Sequence, residues 1–159
     1  SYDTPCVWRE GLAHYLEREV SPEFNYFDSS EGALAEMTKK SDWAAEVVKL
    51  IQSGTAPRFA EMIGLKTFAE FKLPHHYTCW SMTAFLIEAH PEAWSALQSA
   101  LHGRKDKSGF ADGSQRQDAH REAFQEALGM SYAEFAAAWQ AWALLQKDRE
   151  KPLEPPIGR

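Results

Sequence analysis

Twenty-three alanines stand against four valines and four isoleucines in this chain, and that imbalance constrains the fold more than any other feature. Alanine gives up least when it enters a helix, whereas a pleated sheet draws on the β-branched side chains that are scarce here. A mainly α fold follows. With 159 residues the chain has the length of about one domain and can bury roughly 70% of the surface its unfolded form exposes. Residues 1–147 are expected to form one helical domain. Residues 148–159, with Pro152, Pro155 and Pro156, are expected to leave it as an extended tail.

Composition narrows the function classes. A 44% hydrophobic and 25% charged chain is globular rather than disordered or fibrous. A formal charge of −6 disfavours the broad phosphate-binding surface on which nucleic-acid affinity depends, so no nucleic-acid partner is expected. The longest apolar runs are a few residues, as in Ala84-Phe85-Leu86-Ile87, far short of the ~20 that cross a bilayer. Ser1 to Pro5 contain neither a basic nor an apolar leader region, and the compartment stays open.

Apolar periodicity and punctuation divide the chain. Trp8, Leu12 and Tyr15 or Leu16 recur at helical spacing behind Pro5, until Ser21-Pro22 stops the run. Residues 23–30 read as a packed aromatic loop, and Ser29 or Ser30 as the cap of a short helix through Lys39. Ser41 is expected to cap the next, which carries Trp43, Val47 or Val48, and Leu50 or Ile51, with Gly54 past its end. From Thr55 to Pro74 the pattern breaks into short apolar pieces, either short helices or irregular packing. Tyr77 to Ala89 is the most apolar segment. Pro91 opens a helix striped by Trp94, Leu97 and Leu101 and stopped by Gly103. A polar surface loop over 103–114 leads to helices at Gln115 to Leu128 and at Tyr132 to Lys147. The last has the capping box Ser131-x-x-Glu134 and a stripe of Phe135, Ala138, Trp139, Trp142 and Leu145.

Self-contained catalytic signatures are missing. The histidines at 14, 75, 76, 90, 102 and 120 include no pair three or four apart, so no helix offers two imidazoles to a metal from one face. No G-x-S-x-G, C-x-x-C or phosphate-cradling glycine loop occurs. Cys6 and Cys79 lack ligand spacing and read as two separate thiols, with a redox bridge between them as the alternative.

One segment stands out: Pro5-Cys6-Val7-Trp8-Arg9-Glu10-Gly11-Leu12-Ala13-His14-Tyr15-Leu16-Glu17. Taken alone, Glu10 is an early-helix acid favoured by the helix dipole. The stretch, however, resembles the P-x-W-x-x-E-G-x-A-x-Y-x-E segment of the gluzincin metallopeptidases, which include the aminopeptidase N-like enzymes and the smaller peptidase-MA-like domains of bacteria. In those families the Glu of E-G-x-A is the third zinc ligand, and the matching residue here is Glu10. The departure is Trp8, which stands two places before the glutamate with Arg9 between.

A second segment, His75-His76-Tyr77-Thr78-Cys79-Trp80, read alone is a surface histidine pair and a helix-start aromatic. In the same families a Tyr opening an apolar helix, several dozen residues beyond the E-G-x-A helix, donates a hydrogen bond to the oxyanion formed when zinc-activated water attacks the peptide carbonyl. Tyr77 holds that position. The likeness continues through Ala123-Phe124-Gln125-Glu126-Ala127-Leu128-Gly129 and the helix with Phe135 and Trp142, covering roughly residues 5 to 145.

The resemblance implies an orthogonal bundle like the C-terminal subdomain of a gluzincin. It also implies a peptide or protein substrate, zinc in the complete protein, and an extracytoplasmic bacterial location. The H-E-x-x-H helix that supplies two imidazoles and the general base is expected upstream or on another chain, since residue 1 lies only nine before Glu10. By itself this chain is then expected to bind zinc weakly and cleave nothing. His14, one turn past Glu10, reads as structural or as a stray second ligand, and His76 as a neighbour that assists substrate binding. The competing reading is a helical interaction module, or a degenerate peptidase, whose aromatic faces bind a protein partner.

Overall fold

Seven α-helices run through the residues that the computed structural model describes, 4–20, 42–110 and 116–147. They are α1 (Cys6–Val20), α2 (Trp43–Gln52), α3 (Phe59–Gly64), α4 (Leu73–Ala89), α5 (Pro91–His102), α6 (Arg116–Leu128) and α7 (Tyr132–Leu144), with a 3-10 turn at Phe68–Glu70 before α4. The architecture is mainly α, as the alanine excess dictates, and no strand occurs among the described residues. The helix expected through Lys39, the aromatic loop at 23–30 and the extended tail lie outside them.

Helix ends follow the local chemistry, with small corrections. The cap of α2 is Asp42, one residue after the expected Ser41: its backbone is extended and its Oδ1 accepts from the Ala45 N–H at 3.0 Å. Gly54 follows with φ +68, the left-handed conformation that closes a helix. The Ser131–Glu134 capping box of α7 is formed in both directions, at 3.3 and 2.8 Å. Pro91 separates α4 from α5, because a proline ring cannot continue the preceding helix. Pro74 opens the apolar segment: α4 begins at Leu73, with Pro74 in its first turn, where the missing N–H costs nothing, so Tyr77 stands one turn inside the helix. Leu145 leaves its expected stripe: α7 ends one residue earlier and Leu145 is 82% exposed.

Trp8 lies at the centre of an aromatic cluster. Its ring meets Phe59 and Trp94 at 5.6 and 5.7 Å between centroids, and Phe135 edge-on at 6.4 Å. α4 is buried without interruption from His76 to Leu86, the signature of a core helix covered on all sides. α1, α2, α5 and α7 all pack on it.

Candidate functional site

The site begins with the way α1 is turned. Apolar periodicity puts Tyr15 or Leu16 inside: Tyr15 is partly buried against the core, whereas Leu16 is 54% exposed, and His14 and Arg18 are buried. Four polar residues at steps of four, Cys6, Glu10, His14 and Arg18, share one side of the helix. His14 and Arg18 turn toward the core because each has a partner there, while Cys6 and Glu10 bond each other along α1. The Arg18 guanidinium lies over the Trp43 ring at 4.5 Å and near the Trp80 ring at 5.7 Å, a cation–π arrangement that keeps a buried charge in favourable surroundings.

α1 and α4 approach each other closely at Gly11. A β-carbon there would stand 2.5 Å from the Cys79 carbonyl oxygen and closer still to Thr83 Oγ1, so only glycine permits this crossing. One turn further along α1, His14 meets His76, one turn back along α4. The two helices are therefore antiparallel at this seam.

Glu10 sits half-buried at the same seam. The Cys6 thiol donates to its Oε1 at 3.8 Å, and the Arg9 guanidinium reaches the Cys6 sulfur at 3.4 Å. Burial raises the carboxyl's pKa above the usual carboxylate value, against the opposing pull of His14 and Arg9. The Cys79 thiol is pushed well up, chiefly by burial and then by the charge of Glu10. Both cysteines are free and buried, in line with two separate thiols.

His14 and His76 form a buried pair, with His14 Nε2 and His76 Nδ1 2.9 Å apart, while His14 Nδ1 faces Glu17 Oε2 at 3.2 Å. A carboxylate can only accept, so His14 carries its proton on Nδ1; with both rings neutral, Nε2 then accepts from the His76 N–H. Burial lowers the His76 pKa to about 3. The expectation of a surface histidine pair thus fails for His76, which is fully enclosed. His75 is half-buried, and its Nδ1 accepts from the Lys72 backbone N–H at 2.8 Å, tying down the start of α4.

Tyr77 is buried, 6% exposed, with its ring edge-on to Trp43 at 5.0 Å. The same Trp43 ring meets His14 at 5.1 Å. Glu10 and Tyr77 thus lie on the two helices of one seam with different immediate neighbours: the thiol of Cys6 for Glu10, the indole of Trp43 for Tyr77. Among the described residues, no group of three or more His, Cys, Asp or Glu side chains is disposed to hold a metal ion. A cleft of about 690 Å³ between α5 and α6, floored by Ala93, Ala96, Ala100, Ala123 and Ala127, includes neither Glu10 nor Tyr77.

A third histidine escapes sequence reasoning altogether. Trp8 Nε1 donates to His120 Nε2 at 2.7 Å, and His120 Nδ1 meets the Tyr132 hydroxyl at 2.5 Å. Because an indole N–H can only donate, the His120 proton is on Nδ1, directed at Tyr132. Burial lowers the His120 pKa to about 3 and raises that of Tyr132 to about 12. The chain of bonds ties α1 to α6 and α7 behind the Glu10 seam.

Comparison with family models, with curated proteins and with solved structures returns no match.

Proposed function

We propose that this chain is the C-terminal helical portion of a zinc metallopeptidase-like domain, in which Glu10 supplies the third zinc ligand and Tyr77 the oxyanion donor. The reading is carried by Glu10: a carboxylate held partly out of water, directly before the glycine at which its helix closes on the helix of Tyr77. A charge placed where burial disfavours it is uncommon without a purpose, and a cation beside it would relieve the cost. The donor chemistry fits one ligand of a set and not a complete site, so the remaining ligands would come from an upstream segment or chain carrying H-E-x-x-H.

Zinc, when bound, supplies Lewis-acid polarisation of the peptide carbonyl and a lowered pKa for water. The chain's own residues have two tasks in this reading. Glu10 would hold the metal through a carboxylate oxygen. Tyr77 donates its O–H to the oxygen that gains charge as the amide is attacked, a role whose loss typically costs about 10²–10³ in rate. Trp43, packed on Tyr77, restricts the phenol ring.

The test is to extend the chain through the residues encoded before Ser1 and measure zinc content and peptide hydrolysis. Glu10→Ala should lower zinc stoichiometry, and Tyr77→Phe should slow hydrolysis while zinc content stays at the wild-type level. Unchanged zinc content in Glu10→Ala would remove Glu10 from the site. A second reading, a non-catalytic interaction module, is favoured by the exposed Leu16 and Val20 on the outer side of α1, 54% and 87% accessible. An upstream sequence without H-E-x-x-H would select it.

A further inference from the structure

We propose that the His14–His76 hydrogen bond is a positioning contact that fixes how far α1 slides along α4, and thereby where the Glu10 carboxyl stands relative to the Tyr77 ring. The inference rests on the reading of Glu10 and Tyr77 above and adds two positioning residues to it.

Two of the contacts at the seam do different work. The backbone approach at Gly11 sets the separation of the helices, because atoms cannot come nearer. The notch at Gly11 also limits sliding, because the neighbouring residues of α1 carry side chains that would meet the Cys79 carbonyl. The histidine bond adds a preference in distance and angle within those limits. Hydrogen bonds weaken steeply with angle and beyond about 3.2 Å, whereas a one-residue slide is about 1.5 Å, enough to carry a 2.9 Å contact to the edge of bonding range. Both rings are buried, His14 at 3% exposure and His76 at 0%, so water has little access to take the place of the bond. Two leucines would fill the same volume with more apolar burial and no directional preference. Polar pairs in a core are best attested as devices that select one register.

The placement links this register to both candidate residues. Glu10 is one turn before His14 on α1, and Tyr77 directly follows His76 on α4. Trp43 closes the arrangement from α2, its ring in contact with His14 and with Tyr77. Glu17 holds the far nitrogen of His14, and burial keeps His76 neutral, so each ring has a defined partner at this seam.

The test uses two variants of the 159-residue chain. His76→Asn keeps a hydrogen-bonding amide near the position of Nδ1. His76→Leu keeps the volume and removes the bond. Register is read by NMR from the cross-peaks between Gly11 and the Thr83 methyl and between the Trp43 and Tyr77 rings. Ligand placement is read by titrating zinc chloride and following the Glu10 side-chain carboxyl carbon. We expect His76→Leu to stay folded, to shift the Gly11–Thr83 cross-peak and to weaken the Glu10 response to zinc by about tenfold, the loss typical when a group that orients a metal ligand is removed. His76→Asn should restore both. A folded His76→Leu with wild-type cross-peaks would overturn the proposal. So would the absence, in the ¹⁵N-labelled wild-type chain, of scalar coupling across the His14 Nε2···His76 Nδ1 contact, a measurement that does not depend on any variant folding. If the cross-peaks move as expected but the Glu10 carboxyl carbon of the wild-type chain does not respond to zinc chloride, the register role stands and the ligand role of Glu10 is what fails.

Discussion

Gly11 lies against the carbonyl of Cys79 with no room for a side chain: a β-carbon would come within 2.5 Å of that oxygen. Gly11→Ala should therefore force α1 away from α4, with a loss of about 1–3 kcal/mol, the usual cost of overpacking a core. Urea unfolding measures it. Adding Thr83→Ala removes one of the two obstructing groups but not the Cys79 backbone, so rescue should be partial; full recovery would mean that the backbone approach is not limiting.

His76 and His120 are both buried with pKa values lowered to about 3, below the ~6.5 of an unfolded histidine. Between those values the unfolded chain binds more protons, so stability rises with pH through the window and is lost as pH falls below ~6.5. With two such groups the slope near pH 5 should approach about two protons, on the order of 2–3 kcal/mol per pH unit. His120→Phe should reduce that slope by about one proton. Chemical denaturation across pH 4 to 7 reads it, and an unchanged slope would exclude a neutral buried His120.

Glu10→Gln should be neutral or slightly stabilising at pH 7 without metal, by at most about 0.5 kcal/mol, since water still screens a half-exposed carboxyl. The basis is that burial raises the Glu10 pKa, so the charged form is the one that folding disfavours. Thermal melts of the two proteins in chelator decide the sign. A clear loss of stability would show that the carboxylate is a structural partner at this seam.

Cys6 and Cys79 are buried, and desolvation raises both thiol pKa values. A thiol reagent at pH 8 should label the folded chain far more slowly than a free cysteine, because the thiolate is the reactive form. Two equivalents should react at once in denaturant without reductant. Fewer than two would indicate a bridge.

The helical architecture was legible because its signals are local: alanine excess, the Ser131–Glu134 box, and Gly54 and Gly129, both with positive φ in the structure. The Pro5 to Glu17 block drew attention to Glu10, and Tyr77 stands on the helix that packs on α1. What periodicity missed was the rotation of α1. It assigns apolar side chains inward and cannot know that His14 and Arg18 have partners waiting on α4 and α2. The polar row at steps of four from Cys6 to Arg18 was the available signal, and it contradicts an apolar stripe. His120 gave no signal at all, since its partner Trp8 is 112 positions away, and distance along a chain says nothing about which indole a ring nitrogen will meet.

The unbroken enclosure of α4 from His76 to Leu86 also dictates how anything gets in. A helix surrounded by neighbours on every side offers no lateral doorway, so a solute meets α4 only at its ends, at the opening turn from Leu73 to His75 and from Ile87 onward, where burial relaxes.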